Sequence, residues 1–343
     1  MKFSEVLKNS NSLLAKHLTK EIFEQLKDKK TKSGVTLNDI IKSGVKNLDS
    51  GIGAYAGDEE SYKIFAPLFD EIIADYHGYS KTGMHKSNLN SNDLKVKNID
   101  PDDKYIISTR IRVGRNVKNY PLGSTITNQQ RNAIEKQVSK LLQSLQGELA
   151  GNYYPLNNLT PKTRENLISN HFLFKADDRF LEAAGLTRDW PNGRGIYHNT
   201  NKTFLVWINE EDQLRIISMQ KGGDINAVFK RLVSALEIMQ QKIDFSYDKH
   251  LGYMASCPTN LGTSLRASVH IKLPNLSKNN TEFKAIADEF NVQIRGVDGE
   301  HSTNKSHIYD ISNKRRLGIT EVQCVQDMYN GVVALIKREQ ELA

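Results

Sequence analysis

Cys257-Pro258-Thr259-Asn260-Leu261-Gly262-Thr263 sets a thiol at the end of an apolar run and turns the chain at once. Residues 265–273 follow with nearly strict alternation, and successive side chains of a strand point to opposite faces. Leu265, Ala267, Val269, Ile271 and Leu273 therefore face a core, while Arg266, Ser268 and His270 share the other side. A sulfur beside that cationic row suits an anionic ligand next to a reactive or charge-pairing thiol. The plainer alternative is a buried cysteine acting as a small hydrophobe.

Further arginines fall on other strands. In Ser108-Thr109-Arg110-Ile111-Arg112 the two arginines are two residues apart and project from one face, opposite Ile107, Ile111 and Val113. Arg215 lies in the second strand of a hairpin, 204–208 and 214–218, whose turn Asn209-Glu210-Glu211-Asp212 carries three acids. Arg295 ends a strand at 292–295. If these strands share a sheet, Arg110, Arg112, Arg215, Arg266 and Arg295 converge, and their forked, permanently charged groups match the oxygens of a triphosphate. No Gly-x4-Gly-Lys-Ser/Thr loop, dinucleotide fingerprint or kinase-type His-Arg-Asp and Asp-Phe-Gly pair occurs, so a nucleotide site here is built from arginines rather than from a glycine loop. His171 and His270 offer further donors or a stacking surface.

The elements that must position these residues fall into two unlike parts. Residues 1–79 carry helical spacing, with Leu13, Leu14, His17 and Leu18, then Ile22 and Leu26, then Ile64, Phe65, Leu68, Phe69 and Ile72. They form a small all-α domain, interrupted by the glycine-rich run 51–57, which is expected as an exposed loop. Residues 80–104, rich in Asn, Ser, Lys and Asp, read as a linker. From 105 to 343, strands at 105–113, 265–273 and 292–295 and the hairpin alternate with helices at 129–149, 225–243, 283–290 and 321–342. A hairpin among them argues for α+β, a larger domain with a mainly antiparallel sheet flanked by helices.

Composition narrows the function classes. The chain has 343 residues, enough for two domains, and its 47 Lys and Arg against 40 Asp and Glu leave a net charge of +7. That balance favours anionic ligands, yet no concentrated basic run points to nucleic acid. Only Cys257 and Cys324 occur, too few for a disulfide framework, which fits a reducing, cytoplasmic setting. No run approaches the roughly 18 apolar residues that span a membrane, and no obligate protein partner is evident.

Taken together, these motifs resemble the phosphagen (ATP:guanidino) kinases. The resemblance rests on 257–263, 108–112, His171-Phe172-Leu173-Phe174, 204–219 and 266–270, and covers essentially the whole chain. Ser50-Gly51-Ile52-Gly53-Ala54-Tyr55 is similar to the family's short substrate-specificity loop, and Gly299-Glu300-His301 with 309–318 to its mobile C-terminal loop and the segment after it. Members that use creatine typically carry a different first loop and an apolar residue where Glu300 stands. The resemblance thus implies reversible transfer of the γ-phosphoryl group of MgATP to free L-arginine, with creatine or taurocyamine as the alternative acceptor.

It also implies roles. The five arginines clamp phosphates, assisted by Ser108, Thr109, Ile111, His171, Ala267, Ser268, Val269 and His270 and by Gly296, Val297, Asp298, Gly299, Glu300 and His301. Glu211, Glu300 and Cys257 hold the acceptor's guanidinium, and Gly51, Ile52, Gly53, Ala54 and Tyr55 its amino-acid end. Magnesium comes through ATP phosphates and water rather than a carboxylate cage. Cys257 is expected as a thiolate of lowered pKa that positions the acceptor, with Glu210 and Asp212 as solvated turn acids. Gln213 stands where relatives usually carry His and is expected to lie away from the chemistry. Residues 303–307 lack a common glycine pair, which predicts a stiffer loop. Cys324 is expected to serve packing.

Overall fold

The computed structural model describes residues 9–296 and 306–343. Hydroxyl caps open the first helices: Ser12 before α1 (Leu13–His17), Thr19 before α2 (Lys20–Leu26), and Thr36 in a capping box with Asp39 at α3 (Leu37–Lys46). Each cap satisfies amides that a helix start leaves open. With α4 (Glu59–Ile64) and α5 (Ala66–His77) they form the helical domain. Its core joins Leu14, Leu26, Ile40, Phe65, Phe69 and Ile72, and is completed by Leu122, Leu251, Met254, Leu261 and Leu317 from later in the chain. The two parts of the molecule thus share apolar surface that neither buries alone.

Residues 51–57 lie in that seam. The sequence predicts an exposed loop, but only Gly51 is exposed, and 53–57 are buried. The amides of Leu13 and Leu14 donate to the carbonyls of Gly51 and Ile52 at 2.9 Å each, and Gly44 N donates to Gly53 O at 3.0 Å. Gly53 sits at φ +82°, a left-handed conformation that glycine adopts without steric cost. The segment 80–104 is irregular, as a linker should be, yet it is strapped down. Ser87 Oγ and Asn88 N donate to the buried Glu321 carboxylate at 3.0 and 2.8 Å.

Beyond the strap the strands are β1 (Ile106–Arg115), β2 (Gly151–Pro155), β3 (Gly195–Asn199), β4 (Phe204–Ile208) and β5 (Leu214–Lys221). A short ribbon of β6 (Tyr247–Asp248) and β7 (Gly252–Tyr253) precedes β8 (Leu265–Lys272), β9 (Val292–Gly296) and β10 (Ile308–Asn313). All but β6 and β7 form one antiparallel sheet in the order β2-β3-β4-β5-β1-β8-β10-β9. On one face pack α6 (Asn128–Leu142), α9 (Ile225–Gln240), α10 (Asn280–Glu289) and α11 (Glu321–Glu341). The opposite face holds a smaller apolar cluster at one end, around Leu173, Phe174, Leu205 and Trp207, near α7 (Pro161–Ser169) and α8 (Arg179–Ala184).

Two local expectations change. The helix read over 129–149 stops at Leu142. Ser144 Oγ donates to the Leu141 carbonyl at 2.6 Å, and Gly147 takes φ +62°, so the last apolar residues are delivered by a separate turn. In β1 a register shift between Ile106 and Ser108 breaks the alternation, as a bulge does. Ile106 is buried in its place, and Ile107, expected in the core, is 45% exposed.

A Cβ on Gly44 would lie 2.6 Å from Gly53 Cα and from Gly53 O. Gly44→Ala gains about 1 kcal/mol of helix propensity but must push the 51–55 loop away, an overpacking cost of roughly 1–3 kcal/mol. Urea denaturation should show a net loss of stability; a stabilised variant would mean the loop yields freely.

Candidate active site

Cross-strand register brings the arginines to one face. Arg112 on β1 stands directly opposite Arg266 on β8, and Arg110 opposite Ser268. On its other side β1 sets Gly114 opposite Arg215 of β5, so Arg215 is the diagonal neighbour of Arg112. Asp310 on β10 lies opposite both His270 and Arg295. Five arginines predicted from alternation alone are therefore neighbours on the face that the helices do not cover.

Their partners divide them. Arg215 is buried and bound by the turn acids, Nε to Glu210 Oε2 at 2.7 Å and Nη2 to Glu211 Oε2. Burial alone would lower its pKa, but Glu210, Glu211 and Asp212 outweigh burial and raise it. Arg266 binds Asp310 at 2.5 Å, and Arg295 Nη2 donates to Gln293 Oε1 at 3.0 Å. Among the described residues neither Arg110 nor Arg112 forms an ion pair; Arg110 lies over the Trp207 ring at 5.5 Å from its centroid. Burial, and then Arg266, pushes Arg110 down to about 10. Burial with Arg215, Arg110 and Arg266 holds Arg112 well below the ordinary guanidinium range. Like charges gathered in a medium of low polarity are relieved by an anion.

The anion has room. A cavity of about 540 Å³ is lined by Arg110, Arg112, Arg215, His171, Trp207 and His270. His171 is exposed at φ +59°, at the mouth as a base-stacking or donor residue requires. Ser108, Ser268 and His270 share the arginine face, whereas Thr109, Ile111, Ala267 and Val269 are fully buried toward the helices. Their side chains are not brought to the cavity, so their part is to hold strands in register. Asp310 was missed from sequence; the alternation Tyr309-Asp310-Ile311 in a strand opposite His270 was its signal. Arg266 and His270 keep its carboxyl below the usual range against the opposing effect of burial.

The acids and the thiol meet at the next corner. Glu210 and Asp212 are not solvated turn acids as expected. Asp212 Oδ1 accepts from Asn116 Nδ2 at 2.8 Å and from Ser256 N at 3.0 Å, which ties the hairpin turn to the residue before Cys257. Gln213 does stay out of the chemistry; its Oε1 accepts from Val117 N at 2.7 Å and its Nε2 donates to Pro121 O at 2.9 Å. Glu211 is driven up to about 7 by burial first, against Arg215, with Asp212 and Glu210 adding.

Cys257 packs against Tyr55, Ala184 and Leu186, so the 51–55 loop reaches the thiol as expected. The lowered pKa is expected beside a bound substrate cation; in the free chain burial, and then Glu211, pushes it up to about 12. Burial and the carboxylate beside it both favour the protonated thiol. Cys324, fully buried on α11, is packing as expected. Gly296 ends β9; Val297, Asp298, Gly299, Glu300, His301 and 303–305 of the altered loop lie outside the described residues.

Two guanidinium groups without an ion pair, Arg110 and Arg112, stand in a row with paired arginines beside a buried carboxylate and thiol, an arrangement suited to an anion with a cation at its edge. Residues 8–74 match the family model for the ATP:guanido phosphotransferase N-terminal domain, and 133–342 that for its C-terminal catalytic domain. The chain belongs to the ATP:guanido phosphotransferase family, whose substrate is ATP. It is 55% identical over 97% of its length to an arginine kinase of Anthopleura japonica, spanning about half (47%) of that longer protein. It is 53% identical over 98% of its length to an arginine kinase of Penaeus vannamei, spanning 95% of it. Among solved structures it resembles a lombricine kinase at TM-score 0.91 and 40% identity, covering 98% of this chain and 93% of that one. It resembles the duplicated taurocyamine kinase of Schistosoma mansoni at TM-score 0.92 and 40% identity, covering 98% and 48%.

A carboxyl raised from 4.5 to about 7 in the folded chain binds a proton there that the unfolded chain releases, so stability falls as pH rises through that window. Glu211→Gln removes this loss. Denaturation at pH 4.5 and pH 8 should show the variant gaining on the wild type by on the order of 1–3 kcal/mol at the higher pH; a difference independent of pH would place the titration elsewhere.

Proposed function

We propose that the chain reversibly transfers the γ-phosphoryl group of MgATP to a guanidino nitrogen of L-arginine, giving phosphoarginine and ADP. The observation that carries this reading is Arg110 and Arg112, unneutralised over the cavity on the strand beside β5, whose preceding turn carries Glu211. The reacting oxygens of a nucleotide fit the first pair, and a guanidinium fits the second group. The arginine kinases of Anthopleura japonica and Penaeus vannamei favour L-arginine as acceptor.

Transfer forms an N–P bond, breaks the bond between the γ-phosphorus and the bridging oxygen, and leaves ADP. Its loose transition state needs alignment and charge stabilisation more than covalent help. Arg110, Arg112, Arg215 and Arg266 surround the phosphates, with Arg295 at the edge. Glu211 orients the guanidinium and takes the proton that the attacking nitrogen loses. An arriving cation favours the ionised forms of both Glu211 and Cys257, reversing the directions set by burial in the free site. Glu300 is proposed as the second carboxylate. Magnesium enters with the nucleotide as part of the substrate, held through its phosphates and water. The 51–55 loop receives the amino-acid end. Two buried, unpaired thiols fit a cytoplasmic setting, and no helix among the described residues is long and apolar enough to cross a membrane.

A coupled ADP-release assay over L-arginine, creatine and taurocyamine should give its highest kcat/KM with L-arginine; faster turnover with another acceptor would replace it. Glu211→Gln should lower kcat about 10²–10⁴-fold with ATP affinity retained. Near-normal turnover would remove Glu211 from the proton-transfer step.

A further inference from the structure

The turn that carries Cys257 closes on itself, with Asn260 N donating to Cys257 O at 3.0 Å, Leu261 N to Pro258 O at 3.2 Å and Cys257 Sγ meeting Thr259 Oγ1 at 3.2 Å, and it is also held from outside. Before the thiol, Tyr62 Oη donates to Ala255 O at 2.8 Å and Ala56 N to Ser256 O at 2.7 Å. After it, Arg316 Nη1 donates to Thr259 O at 2.9 Å and to Asn260 Oδ1 at 2.6 Å. Between these lies one contact from an ionisable side chain of the helical domain. His77, the last residue of α5, meets Pro258 O through Nε2 at 2.9 Å. Burial drives His77 down to about 4, against the Pro258 carbonyl, and Arg316 adds to the shift. The ring is therefore neutral at physiological pH, and facing a carbonyl its Nε2 carries the proton.

We infer that His77 is a positioning residue for Cys257, its Nε2–H adding to that of Leu261 a second hydrogen bond on the Pro258 carbonyl and so steadying the turn that aims the thiol one residue earlier. The inference rests on the phosphoryl-transfer reading above and deepens it. Of the groups holding this turn, His77 grips the first carbonyl after the thiol. It does so from the domain that also supplies the acceptor loop, so Cys257 and the 51–55 backbone are both held from the helical domain. A misplacement on the scale of an ångström at a reacting centre is costly even when the residue responsible never touches substrate.

Two variants of the full chain separate positioning from general support. Gln places an amide donor where the imidazole Nε2 stands, whereas Ala has none. His77→Ala should lose about fivefold or more in kcat/KM for L-arginine, the weight of one hydrogen bond, with KM for ATP within about twofold of the wild type, and His77→Gln should recover most of the loss. The thiol gives a readout independent of catalysis. Iodoacetamide labelling of Cys257, followed by peptide mass with Cys324 as internal reference, should accelerate about fivefold or more in His77→Ala and little in His77→Gln. Equal behaviour of the two variants in labelling, or a catalytic loss that falls on ATP, would overturn the role. If labelling separates the variants while the wild type fails to phosphorylate L-arginine, the functional reading fails and the hold of His77 on the thiol stands.

Discussion

The structure depends on a concentration of positive charge that the protein itself does not neutralise. A sheet face can gather guanidinium groups only if its strands are locked in register, because each group repels the next in a medium that screens poorly. The cost is met on the other face. Ile111, Val113, Ala267, Val269 and Ile271 are fully buried or nearly so beneath α9 and α11, and this apolar burial fixes β1 against β8 with Arg112 opposite Arg266. Asp310 and the turn acids then neutralise the arginines on the flanking strands, leaving Arg110 and Arg112 on β1 without an ion pair among the described residues. An anionic ligand completes the array rather than adding to it.

The second charge environment is attached to the first by a short covalent path. Glu211 belongs to the turn between β4 and β5, four residues from Arg215, and Asp212 carries that turn to Ser256 and hence to Cys257. Burial raises the pKa of Glu211 to about 7 and that of Cys257 to about 12, so in the free chain the cation site is closer to neutral than its residue types suggest. This state is resolved when a cation arrives. The helical domain is a structural member of the same site: its core is finished by Leu251, Met254 and Leu261 around the cysteine turn, and its 51–55 loop reaches the thiol through Tyr55.

Much of this was legible in the linear chain where one physical rule dominated. Alternation placed Arg266, Ser268 and His270 on one side of β8, and helical spacing gave the first domain and α11. It failed where a local device changes the phase, as at the β1 bulge that exposes Ile107, or where a side chain ends a helix early, as Ser144 does beyond α6. The short strands β2, β3 and β10 have few residues with which to declare a period, and Asp310 went unread with them. The glycine run 51–57 looked solvent-facing because glycine marks both loops and close packing, and only the approach of Gly53 to Gly44 separates the two.

The sequence by itself determined which groups are available: five arginines on polar strand faces, three acids in a hairpin turn, and a thiol before a tight turn. Spacing fixes the direction of each side chain relative to its own strand, and that is enough to name a phosphate-binding chemistry. Which of these charges remain unneutralised was decided only by the tertiary structure. Glu210 and Glu211 reach Arg215, Asp310 reaches Arg266, and among the described residues no acid reaches Arg112. The same holds for Cys257, whose pKa the folded surroundings raise in the free chain. A pKa depends on burial and on the sign of neighbours brought from distant positions, and neither quantity exists until the chain has folded.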